Sequence, residues 1–73
     1  MERYVLTMIT SDGEDVLATV PPRDVKYPRY DVSITWSDYQ KVLAKWLERN
    51  AIELGEVADQ DEEVTFVVYK LKR

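Results

Sequence analysis

Apolar residues in the first twenty positions fall in two short runs, Tyr4-Val5-Leu6-Thr7-Met8-Ile9 and Val16-Leu17-Ala18-Thr19-Val20, separated by Ser11-Asp12-Gly13-Glu14. Strand-favouring residues on either side of an Asp-Gly pair predict a β-hairpin with Asp12 and Gly13 as its two-residue loop. That register sets Ile9 opposite Val16, Thr7 opposite Ala18 and Val5 opposite Val20 on one side. Met8 with Leu17, and Leu6 with Thr19, fall on the other. Both sides of the hairpin are thus substantially apolar, unlike a strand pair that turns one clean face to water.

Pro21 and Pro22 end the second strand, because proline cannot donate to a ladder, and residues 21–29 read as an extended loop closed by Pro28. From Tyr30 to Trp36 the alternation is strict, with Tyr30, Val32, Ile34 and Trp36 pointing one way, and this predicts a third, half-buried strand. Ser37 followed by Gln40 has the form of a capping box, with Asp38 well placed in the first turn of a helix. Tyr39, Val42, Leu43, Trp46 and Leu47 then recur at helical spacing, leaving Lys41, Lys45, Glu48 and Arg49 outside. Asn50 is expected to stop the helix in the left-handed conformation. Continuing to Leu54 with Gly55 as the cap fits the spacing almost as well. The shorter helix is preferred because Ile52, Leu54 and Val57 can open a strand that turns through Asp59-Gln60-Asp61 into Val64–Leu71.

The expected architecture is one α+β domain over residues 1–73 in β-β-β-α-β-β order. A mainly antiparallel sheet of four or five strands carries one helix on one face, in two layers. The last strand repeats the property of the first hairpin, with Val64/Phe66/Val68 on one side and Val67/Tyr69/Leu71 on the other. A helix of about thirteen residues is roughly 20 Å long and covers one side of a few strands. The second apolar side is then shielded by Tyr27, Pro28 and Tyr30 folding back over it, drawn by strong twist into one core with the first, or left as an interaction surface. Leu6, Met8 and Leu17 are the self-association candidates on that side.

Composition narrows the chemistry. The chain has no cysteine and no histidine, which removes disulfides and the usual zinc, iron-sulfur and haem ligand sets, so neither metal nor cofactor is expected. It also lacks a thiol nucleophile, a base poised near neutral pH and, with two glycines in all, a Gly-rich phosphate loop, so no catalytic residues are assigned. Asp59-Gln60-Asp61-Glu62-Glu63 supplies carboxylates but not the glycine and distant glutamate of an EF-hand, and reads as a solubilising turn. No apolar run suits a membrane span or a signal peptide, which predicts cytoplasmic residence without a membrane. Seventy-three residues of 8.6 kDa should expose roughly 4,700 Å² when folded.

Fourteen acids against ten bases give a net charge of −4, which argues mildly against a general nucleic-acid coat without forbidding a local basic patch. The proline-stiffened loop holds such a patch. Arg23, Lys26, Tyr27, Arg29 and Tyr30 form the expected partner-binding set, since Arg and Tyr are frequent interface anchors. Together these features point to a small acidic protein-protein interaction module. It would act as a stoichiometric inhibitor or adaptor, of the kind that phages and mobile elements encode, with another protein or a second copy as partner. The alternative is a nucleic-acid-binding module. It would use the same basic-aromatic loop with Lys41, Lys45 and Arg49 at four-residue spacing and the C-terminal Lys70, Lys72 and Arg73.

Overall fold

The computed structural model describes residues 1–72; Arg73, counted above among the C-terminal bases, lies outside the described residues. Strands β1 (Tyr4–Thr10) and β2 (Gly13–Val20) are followed by helix α1 (Trp36–Asn50) and strands β3 (Ala51–Asp59) and β4 (Val64–Leu71). The four strands make one antiparallel sheet in the order β2-β1-β4-β3, so the N- and C-terminal strands pair at its centre. The fold is α+β, and its order is β-β-α-β-β. No helix of the described residues is long and apolar enough to cross a membrane.

The expected third strand over residues 30–36 does not form. The Asp31 carboxylate accepts the Ser33 N–H at 2.6 Å while the Asp31 carbonyl accepts the Ile34 N–H at 3.2 Å, closing a turn; Val32 is 98% exposed. Both bonds satisfy the backbone locally, where a strand would need a neighbour. The segment has another task. It must carry the chain from the Val20 end of the sheet, beside Tyr4, back to the start of α1, where the Trp36 indole donates to the Asp12 carbonyl of the first hairpin. On that route Val25 is buried in the core cluster with Val5, Tyr39, Leu43, Leu47, Ala51 and Leu71, and Tyr27 packs against that cluster, so the connection completes the helix layer.

The first hairpin is shifted from its expected register. Ser11 and Asp12 form the turn, Thr10 faces Gly13, and Thr7 faces Val16; a bulge at Leu17 then sets Leu6 against Ala18 and Val5 against Thr19. Leu17 therefore has no cross-strand partner, and its expected pairing with Met8 is replaced by Met8 against Asp15. The register is held from the helix. Gln40 Oε1 accepts the Glu14 N–H at 2.8 Å and Gln40 Nε2 donates to the Glu14 carbonyl at 2.7 Å, so an amide side chain occupies the edge of β2 as another strand would. The Glu14 carboxylate in turn accepts the Thr7 hydroxyl at 2.6 Å and the Tyr69 hydroxyl at 2.7 Å, tying three strands together.

Thr35, not Ser37, caps α1: its hydroxyl accepts the Asp38 N–H at 3.1 Å. The helix stops at Asn50 as expected, but through Ala51 in an extended conformation, with no left-handed cap. Its freed end is satisfied by the Asn50 side chain on the Trp46 carbonyl and by the Lys72 N–H on the Asn50 carbonyl. Tyr39, Leu43 and Leu47 form the buried stripe, one face at four-residue spacing.

Two outcomes test this packing. Gly13 has φ of +132°, and a Cβ there would lie 2.5 Å from Gln40 Oε1, whereas nothing lies within 4 Å of one at Gly55. Gly13→Ala should cost about 1–3 kcal/mol in urea unfolding and Gly55→Ala within about 0.5 kcal/mol. Burial, reinforced by hydrogen bonds to Asp15 and Glu14 respectively, pushes the Tyr39 and Tyr69 hydroxyls well above the ordinary tyrosine value of 10.0. The folded state thus keeps protons that the unfolded chain releases. Their stabilising effect is complete below pH 10 and is lost as pH rises beyond it. Phenolate absorbance from these two tyrosines should appear only together with alkaline unfolding.

Candidate functional site

Side chains alternate across a sheet, so the ladder partners define its two faces. On the helix side lie Val5, Thr7 and Val67, all buried. The opposite side is built from cross-strand rows running Val20–Tyr4–Lys70–Ile52, Ala18–Leu6–Val68–Gly55 and Met8–Phe66–Val57. Asp15, next to Met8 in the ladder, sends its carboxylate instead to the buried Tyr39 hydroxyl at 2.7 Å. Leu6, Met8 and Phe66 are half-buried; Ile52, Leu54, Val57 and Val68 are exposed. Leu6, Leu54, Val57, Phe66 and Val68 surround a shallow depression with Glu56 at its margin. The result is an apolar plate with no second layer.

Its polar rim is organised at one end. The Tyr4 hydroxyl donates to Glu2 Oε2 at 2.6 Å, and Lys70 Nζ meets Glu2 Oε1 at 2.9 Å. The Tyr4 bond first, then Lys70, hold the Glu2 carboxyl below its usual range, and the hydrogen bonds to Glu2, ahead of its charge, raise both partners. All three side chains are solvent-accessible, so this cluster orients groups more than it stabilises the fold.

Size supports the reading of an unfinished surface. The folded chain exposes 5475 Å², roughly 800 Å² more than a compact protein of 8.6 kDa is expected to show. The loop does not make up the deficit, because Val25 and Tyr27 pack in the helix layer.

Of the expected self-association residues, Leu6 and Met8 lie in the plate and Leu17 is an exposed residue at the β2 bulge. The expected partner-binding set is dispersed. The Arg29 guanidinium lies 4.9 Å from the centre of the Tyr27 ring, and Tyr30 meets Trp36 edge-on at 4.9 Å and Tyr39 at 5.5 Å, near the start of α1. Lys26 instead borders a cleft with Trp46 and Arg49, about 15 Å further along the helix. Arg23 stands exposed in the turn after Pro22. Ile52, Leu54, Val57, Phe66 and Val68 escaped the sequence reading as site residues. The available signal was the double apolar set of β4, which needed the pairing with β3 to become one surface.

The same substitution on neighbouring residues separates the two faces. Val67 is 1% exposed and Val68 39%. In dilute solution Val67→Thr should lose about 1–3 kcal/mol by burying an unmatched hydroxyl, while Val68→Thr should stay within about 0.5 kcal/mol of the parent chain. No protein family, no curated protein and no solved structure matches the chain.

Proposed function

We propose that this protein is a non-catalytic interaction module that assembles with a second copy of itself, open sheet face against open sheet face. The observation that carries this reading is the apolar plate of Leu6, Met8, Phe66, Val68 and Val57, left without a covering layer. The chain as a whole exposes roughly 800 Å² beyond the expectation for its size, about what each partner contributes to a standard interface. Two twisted sheets meeting face to face, about 10 Å apart, complete the missing layer.

A second copy also suits the charges. The plate's centre is uncharged, so the net charge of −4 on each chain does not place like charges in contact there. The molecule is polarised along its strands. Asp12, Asp38, Asp59, Asp61, Glu62 and Glu63 gather at the end holding both hairpin turns and the start of α1, and Lys70 and Lys72 lie at the other, where Lys70 is paired with Glu2. A two-fold axis perpendicular to the strands sets the acidic end of each copy over the basic end of the other. The dimer then has its two helix layers on the outside, free to engage a further partner stoichiometrically.

Sedimentation equilibrium over about 1–500 µM tests this, with micromolar association expected for an interface of this size. The double variant Val57→Lys/Val68→Lys changes two exposed positions and should stay monomeric with an unchanged far-ultraviolet circular dichroism spectrum. A parent chain that is monomeric throughout, or a double variant that still dimerises, overturns the reading.

A further inference from the structure

We propose that the cleft at the C-terminal end of α1 binds the phosphate monoester of a nucleotide, with Trp46 as the wall for its base. Arg3, Lys26, Arg49 and Lys72 border this cleft against one acid, Asp24. In a chain of net charge −4, four of the ten bases converge on one place, from positions more than twenty residues apart. Its volume of about 500 Å³ lies within the range of small-molecule sites.

The helix end explains part of this charge and leaves the rest. A helix C-terminus carries roughly −0.5 of an elementary charge, which favours nearby cations. Asp24 adds −1. With Arg3 engaged on the Asp24 carbonyl and left out of the sum, Lys26, Arg49 and Lys72 retain a net charge of roughly +1.5, and a phosphate monoester brings about −1.5 to −2 at neutral pH. A carboxylate ligand would leave more of it unmatched.

The backbone around the cleft is already satisfied, so the cations need not be spent on it alone. The Trp46 carbonyl takes the Asn50 amide, the Asn50 carbonyl takes the Lys72 N–H, and the Leu47 carbonyl takes the Ala51 N–H. Lys72 Nζ reaches the Glu48 carbonyl at 3.2 Å, and Arg3 Nη1 donates to the Asp24 carbonyl at 3.3 Å, fixing the loop against the sheet. Among the described residues Lys26 and Arg49 form no ion pair, and both are exposed. They are the two groups best able to swing onto a phosphate. Trp46, half-buried against the core, offers a held aromatic surface on which any base can stack. The cleft lies in the helix layer, on the far side of the sheet from the open face, so this inference does not rest on dimerisation.

Tryptophan fluorescence and calorimetric titration at low salt with adenosine 5′-monophosphate, inorganic phosphate and adenosine provide the test. Adenosine monophosphate should bind with submillimolar affinity, and both fragments at least tenfold more weakly. Lys26→Gln and Arg49→Gln should each weaken the nucleotide about tenfold, and Trp46→Leu should bring it down to inorganic phosphate. Short oligonucleotides with and without a 5′-phosphate identify the source. Tighter binding of the phosphorylated strand than of the mononucleotide marks a strand end, and equal binding marks a free nucleotide. Equal binding of the unphosphorylated strand, absence of nucleotide binding, or binding unchanged in Lys26→Gln and Arg49→Gln overturns the proposal.

Discussion

A four-stranded sheet with two apolar faces, in a chain that has enough remaining residues to cover one, is the constraint from which the rest follows. The helix layer uses everything available: α1, of fifteen residues, and the connection through Val25 and Tyr27 both pack on the side of Val5, Val67 and Leu71. The molecule is accordingly thin, 20 Å along its shortest axis against 33 and 32 Å along the others. A third layer would have to come from outside the chain.

Polar groups set how that one layer is attached. The Gln40 amide on the backbone of Glu14, the Glu14 carboxylate beneath the hydroxyls of Thr7 and Tyr69, and the Tyr39 hydroxyl on Asp15 join helix, edge strand and central strands in one network. None of the buried polar side-chain atoms among the described residues lacks a partner. Such a network gives direction to a small core whose apolar contacts alone would tolerate several helix positions. It also places the acidic groups of the first hairpin at the start of α1, where the helix dipole favours negative charge.

The charges divide the molecule into ends, and the layers divide it into faces. Acids collect around the two hairpin turns, and bases gather where α1 ends beside the final residues of β4. The apolar plate and the basic cleft therefore occupy different layers, and an occupant of one leaves the other open. This separation is what lets a chain of 73 residues offer two unlike surfaces.

The sequence by itself determined the elements whose signals are local. The two strands around Ser11–Gly13, the buried helical stripe Tyr39-Leu43-Leu47 and the double apolar character of β4 were legible in spacing alone, whereas the end of the helix at Asn50 needed the strand pattern of Ile52, Leu54 and Val57 after it. The alternation from Tyr30 to Trp36 misled, because periodicity reports which residues could share a face and not whether a neighbouring strand exists to receive them. Hairpin register escaped for a related reason: it was set by a side chain twenty-six residues away, Gln40, and by a bulge at Leu17. Only the tertiary structure decided which apolar face the helix covers, that Lys26 parts from Tyr30, and that Arg3, Lys26, Arg49 and Lys72 meet. These are long-range juxtapositions, created when the chain ends pair at the centre of the sheet, and no window of neighbouring residues carries them.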